Sequence, residues 1–164
     1  QYGFVTTRDA RDLGYSAVEL AKLASREKLE RISQGLYRFP ELPQTARDDY
    51  MRAVLATGAP DAILSHDTAL LVHDLCDINP EIIHVNVGKH RVRRNISGVQ
   101  LHSDHISPRE RSWWEGIPVV TVLTAIEQGI ATKVPRHLLH QAIGAARARG
   151  QLTALELSEL ESNL

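Results

Sequence analysis

The 164-residue chain has one cysteine, Cys76, so no intrachain disulfide can form and no cysteine-based zinc site can close. Cys76 follows Leu71, Val72 and Leu75 and reads as a small core residue. No apolar run approaches the roughly 18 residues of a membrane span, and no basic start is followed by an apolar stretch. A cytoplasmic protein is the expectation. Because the chain opens on Gln1 rather than Met, residues upstream of it are allowed for. Charge of one sign is also lacking: 19 Lys and Arg stand against 20 Asp and Glu, for a net charge of −1. Any attraction to a polyanion must therefore come from a local patch. Repeats and low-complexity stretches are absent.

Catalytic signatures are missing as well. There is no G-x-S-x-G, no phosphate-cradling glycine loop and no paired-carboxylate strand motif. Glu81 and Lys89 bracket the central strand expected below, but lack the acid, then acid-x-lysine spacing that a metal-dependent nuclease needs. No enzyme, catalytic residue or cofactor is expected.

What is present is the patterning of an ordinary globular chain, 43% hydrophobic and 24% charged. Thr6 with Asp9 three residues on marks a helix start, and Gly14 suits a tight turn. Ser16 with Glu19 forms a second capping signal, followed by an apolar stripe of Leu20, Leu23 and Ala24. Leu29 to Ser33 alternates with period two, Gln34-Gly35 makes a two-residue turn, and Leu36 to Phe39 returns the chain. Helix, turn, helix, hairpin is the order of a winged helix-turn-helix over residues 1–42. Pro40 and Pro43 mark a linker, and residues 45–164 are expected to form a larger mixed α/β domain, so the fold class is α+β.

In the second part, Thr45 is expected to cap a helix through Ala56. Ser65 should start another through Leu75, with Thr68, Leu71, Val72 and Leu75 on its inner face. Ile82 to Val87 reads as a strand, Gly88 to Asn95 as a basic loop, and Val99 to His102 as a returning strand. Trp113 to Gly116 reads as a turn into Ile117–Val120, placed at a sheet edge because of Pro118. Helices over Thr121 to Ala131, from Pro135 to Gly150, and from Thr153 close the chain.

In a winged helix-turn-helix the second helix lies in the major groove and the hairpin touches the backbone. Ser16, Ala17, Lys22 and Arg26 would then face DNA, with Arg31 and Arg38 on the wing and Arg8 and Arg11 on the preceding helix. Seven cations against five acids in residues 1–40 is a modest surplus. A monomer so equipped binds weakly and needs a dimer or a second patch. Lys89, Arg91, Arg93 and Arg94 supply such a patch, free of acids. The plainer alternatives are a protein-interaction winged helix with solvated charges and a solvated hairpin tip. Three histidine groupings are candidates for metal: His102 with Asp104 and His105, His137 with His140, and His66 with His73. None has a known ligand spacing and no metal site is expected; His73 and His84 suit hydrogen-bonded, partly buried roles.

Taken together, several segments resemble the AbiEi family of type IV toxin–antitoxin antitoxins. They are Thr6-Thr7-Arg8-Asp9-Ala10 with Gly14-Tyr15-Ser16, Gly35 to Pro40, and Ser65 to Leu70 followed by Asp74-Leu75. Pro80, Ile83-His84-Val85, Arg91 to Arg94 and Gly116 to Thr121 complete the set. The resemblance implies an N-terminal winged helix that binds operator DNA and represses its own operon. It also implies a C-terminal domain that counters a nucleotidyltransferase-like toxin, without a stable complex being required. Carried onto this chain, the DNA-binding positions are Arg8, Tyr15, Ser16, Lys22, Arg26 and Arg38, with Lys89, Arg91, Arg93 and Arg94 as a second surface. The partners implied are double-stranded operator DNA and the toxin, with no membrane; a monomer binding repeats cooperatively is one compatible arrangement. Family members carry a further helix before the Phe4 segment, and almost nothing precedes it here, which implies reduced packing of the winged helix. The competing readings are a metal-dependent nuclease-like enzyme and a protein-interaction adaptor that uses the acidic helix from Leu152 to Leu160.

Overall fold

The computed structural model describes residues 1–90, 92 and 95–164. Arg91, Arg93 and Arg94, three of the four cations expected to form the second patch, lie outside the described residues.

The first 40 residues build β1 (Phe4–Thr6), α1 (Thr7–Asp12), α2 (Ala17–Ser25), β2 (Glu30–Ser33) and β3 (Leu36–Arg38). Thr6 caps α1 as expected: its hydroxyl accepts from the Asp9 N–H at 3.1 Å, while the Asp9 carboxylate accepts from the Thr6 N–H at 2.8 Å. Strand β1 carries no signal in the sequence. Three residues are too few to show a period, and β1 exists because it pairs antiparallel with β3, giving the sheet order β1-β3-β2. Ala10, Leu20, Leu29 and Tyr37 make a small core of their own under α1 and α2. Phe4 and Leu36 instead join the main core of the chain, so the first 40 residues are packed onto the rest.

The remainder forms α3 (Asp48–Ala56), β4 (Ile63–Leu64), α4 (His66–Val72), β5 (Ile83–Asn86), β6 (Val99–His102), β7 (Arg111–Trp114), β8 (Ile117–Val120), α5 (Val122–Ala131), α6 (Arg136–Ala148) and α7 (Ala154–Ser162). The fold is α+β, with a five-stranded mixed sheet ordered β6-β5-β4-β8-β7. Leu64, Leu70, Val85, Val119 and Ile126 are fully buried between the sheet and the helices. Gly129 lets α5 approach closely, since a Cβ there would sit 3.1 Å from Leu139 and 3.2 Å from Leu70.

Four expectations about these elements are corrected. β6 does not return: it runs parallel to β5, with Ile83 opposite Val99 and Asn86 opposite His102. The connection between them is long enough to bring the chain back to the same end, and strand patterning carries no direction. Second, β8 is internal, between β4 and β7. Pro118 is tolerated because the two-residue turn makes Trp114–Ile117 the hydrogen-bonded pair, leaving Pro118 in the next, non-bonded pair with Trp113. On its other side β8 meets β4 only at Val119, opposite Leu64. Third, Trp113 and Trp114 belong to strand β7, the true edge, and only Glu115 and Gly116 turn. Helix α4 also stops at Val72, and its buried set includes Ala69 and Leu70 while Leu71 is only half-buried.

Candidate nucleic-acid interface

Helix α2 turns one face inward and leaves the other bare. Leu20 is buried, and Val18, Lys22 and Ser25, at i, i+4 and i+7 spacing, share the opposite face, with Tyr15 just ahead of the N-cap and Arg26 at the C-cap. All five are exposed, Val18 at 63% and Tyr15 at 56%. Among the described residues, neither Lys22 nor Arg26 has an ion-pair partner within the chain (the pairs formed involve Arg38, Arg47, Arg52, His66, His90, Arg147 and Arg149). Ser16 holds the start of this helix: its hydroxyl accepts from the Glu19 N–H at 3.3 Å, and its own N–H donates to the Glu19 carboxylate at 2.7 Å. Ser16→Ala should therefore cost about 1 kcal/mol and fray the first turn of α2. A urea melt with an unchanged midpoint would contradict this role of the cap.

The hairpin is short and tied down. Thr7 donates its N–H to the Gly35 carbonyl at 3.0 Å, which pins the tip to the start of α1. Gly35 has φ +75, and a Cβ there would meet the Thr7 hydroxyl at 3.1 Å. Arg31, on the outer strand β2, is exposed. Arg8 is exposed but its guanidinium donates to the Gly58 carbonyl at 3.1 Å, just beyond α3. Lys89 is exposed and shares a cleft with the His90–Asp61 pair.

Arg38 is a correction. It is 3% exposed, and its guanidinium is spent internally. It pairs with Asp48 at 3.1 Å and donates to the carbonyls of Leu42 at 2.9 Å, Pro43 at 3.0 Å and Phe39 at 3.3 Å. Its charge also lies over the Phe4 ring, 5.9 Å from the centroid. Period two puts Arg38 on the wing, but the third strand β1 and the linker close over it. It positions the hairpin on α3 and has no donor turned to solvent for a phosphate. Of the seven cations in residues 1–40, six are left to face five acids.

The histidines assemble differently from their sequence groupings. Because β5 and β6 run parallel, His84 and Asn86 lie on the same sheet face as His102, and Asp104 follows two residues on. His66, the first residue of α4, stacks on His102 with centroids 3.6 Å apart. His84 Nδ1 and His102 Nε2 are 2.9 Å apart, and His66 Nε2 is 3.5 Å from the Asp104 carboxylate, which accepts from the Asn86 amide at 3.1 Å. His73 is elsewhere, bonded to the Val120 carbonyl at 2.7 Å, while His105, His137 and His140 are exposed. The sequence signal was His84-x-Asn86 beside His102-x-Asp104, visible only once the two strands are known to be parallel.

Burial pushes the His66 imidazole down to about 4, with His102 and His84 adding to the shift and Asp104 opposing it. Burial likewise lowers His73, His84 and His102. Unfolded imidazoles protonate near 6.5, so between pH 6.5 and 4 the unfolded chain binds more protons and stability falls on acidification. In chelator-containing buffer His66 alone should cost on the order of 2 kcal/mol at pH 5 relative to pH 7.5. Equal urea midpoints at the two pH values would refute the neutral cluster.

Residues 1–40 match the family model described as a transcriptional regulator, AbiEi antitoxin. No protein of curated function matches the sequence. Among solved structures, the chain is similar to the RV2827C protein from Mycobacterium tuberculosis, with a TM-score of 0.58 and 13% sequence identity. The likeness covers 97% of this chain and 66% of that one, just under two thirds, and at that identity it concerns the fold alone. No helix among the described residues is long and apolar enough to cross a membrane.

Proposed function

We propose that the chain is a DNA-binding antitoxin that represses its own operon and counters a nucleotidyltransferase-like toxin. The first 40 residues read as a winged helix-turn-helix, with α2 as the groove-entering helix and the β2–β3 hairpin as a short wing. The observation that carries the reading is the bare outer face of α2, where Lys22 stands in solvent with Arg26 at the C-cap, Ser16 at the N-cap and the exposed Tyr15 just before it. The match of residues 1–40 to an antitoxin regulator family supports it.

On such a face Lys22 and Arg26 supply phosphate or base-edge donors, Ser16 sits where the helix meets the backbone, and Val18 offers an apolar contact of the kind thymine methyl groups accept. With so few cations per chain, affinity is expected to be modest and strongly salt-dependent, with repeated sites raising occupancy. Lys89 and the adjoining Arg91, Arg93 and Arg94 are proposed as the second phosphate-contacting surface.

A gel shift on the DNA immediately upstream of the gene tests the reading. The expected result is a complex at low salt that outcompetes unrelated DNA and dissolves as salt rises. No complex at low salt would remove the proposal, whereas a stoichiometric protein complex without DNA affinity would favour the adaptor reading.

A further inference from the structure

His66, His84 and His102 form a cluster of metal-ligating side chains that the DNA-binding reading leaves unused. We propose that this cluster, completed by the Asp104 carboxylate, binds one divalent transition-metal ion of the zinc class.

The first argument is spacing. Ligand atoms bonded to such an ion at about 2.0–2.1 Å lie about 3.3 Å apart along the edges of a tetrahedron. One nitrogen from each histidine lies within 4.8 Å of the other two. His84 Nδ1 and His102 Nε2 stand at 2.9 Å, and His66 Nε2 and Asp104 at 3.5 Å. The two closest separations lie on either side of the tetrahedral edge and the three histidine nitrogens fall within 4.8 Å of one another, so ring rotations would draw the imidazoles onto one ion, with Asp104 moving in to complete the set. Binding opens the His84–His102 pair by a few tenths of an ångström and turns the stacked His66 and His102 rings so that both lone pairs meet the ion.

The second argument is donor chemistry and support. Three imidazoles and a carboxylate suit zinc and its neighbours, and exclude a calcium-type oxygen cage. The ligands are oriented by fixed partners: Ser65 Oγ lies 3.0 Å from His66 Nδ1, and the Asn86 amide donates to Asp104. Such outer partners are what align a metal-bound histidine or carboxylate. Asp104 also faces a surface cleft of about 220 Å³ and its carboxylate is half exposed, so this ligand is open to solvent.

The third argument is strain. His66 opens α4 at φ +52, in the left-handed region, with its N–H bonded to Gln128 at 2.9 Å. Of the other five non-glycine residues in that conformation, Glu27, Asp74 and Lys133 each follow a helix end and Tyr2 and Glu115 sit in turns, so His66 alone of the six opens a helix. At the start of a helix glycine would fit more easily, and strain held at a buried, ring-bearing residue is a mark of a functional position. An ion here would fasten the edge strand β6 and the loop after it to β5 and α4.

The full-length chain, stripped with chelator and dialysed, is titrated with Zn²⁺ by calorimetry and with Co²⁺ by absorption. The expected result is one ion per chain, bound at micromolar Kd or tighter, with the visible bands of tetrahedral Co²⁺. Saturating Zn²⁺ should raise Tm by about 5 °C. His84→Gln and His102→Gln, which keep a hydrogen-bonding side chain, should weaken binding about tenfold or more, with folding checked by circular dichroism. The exposed pair His137→Ala and His140→Ala should change nothing. If the glutamine variants fail to fold, the wild-type chain decides: Co²⁺ should shift the ring protons of three histidines, none of them His137 or His140. No binding, binding that survives the glutamine variants, or shifts confined to His137 and His140 would overturn the proposal.

Discussion

Replacing Arg38 with alanine is expected to destabilise the chain by about 3–5 kcal/mol, a large part of the roughly 5–15 kcal/mol that holds a domain folded. The guanidinium is buried, paired with Asp48, and bonded to three carbonyls of the linker. Its removal leaves those carbonyls without a donor and strands the partly buried Asp48 carboxylate. Burial alone raises the Asp48 carboxyl, but hydrogen bonds from Thr45 and the nearby Arg38 charge bring it below its ordinary value. Lysine at position 38 should recover only part of the loss, because an ammonium cannot present the planar fork that reaches Asp48 and the carbonyls together. Urea unfolding measures both variants. An Arg38→Ala protein with unchanged stability and weakened DNA affinity would restore the reading of Arg38 as a phosphate contact, and would show the hairpin to be anchored otherwise.

The second large effect is on the α2 face. The double variant Lys22→Ala with Arg26→Ala should lose operator affinity on the order of 10- to 100-fold while keeping its urea midpoint within about 0.5 kcal/mol of wild type. The separation of effects follows from exposure: both side chains are open to solvent and neither belongs to the core. If both contact phosphates, the slope of log affinity against log salt should flatten by about two. If Arg26 reads a base edge instead, the slope should change by about one and discrimination between sites should relax. Fluorescence anisotropy with a labelled upstream duplex across a salt series distinguishes these cases. Unaltered affinity in the double variant would show that α2 is not the DNA-reading element.

Local chemistry was legible in the sequence and long-range geometry was not. Thr6–Asp9, Ser16–Glu19 and Thr153–Glu156 announce their helices because a capping box is complete within four residues. The Gln34-Gly35 turn is equally self-contained. The α+β class follows from such pieces. By contrast, strand direction and order depend on partners far away in the chain: the parallel β5–β6 pair and the internal position of β8 leave no mark on the strands themselves. Arg38 was misplaced for the same reason. Alternation along the hairpin assigns it a side, but only β1 and Asp48 make that side an interior. The histidine cluster draws on α4, β5 and β6, and its members lie 18 residues apart in sequence, from 66 to 84 and from 84 to 102, beyond any local spacing rule.

The most direct test of the regulator account is to map amide chemical shifts of the full-length chain as an upstream duplex is added. The account predicts perturbations concentrated from Tyr15 to Arg26, with a smaller set on the hairpin around Arg31. Shifts confined to the α5–α7 side, or none at protein and DNA concentrations well above micromolar in low salt, would contradict it.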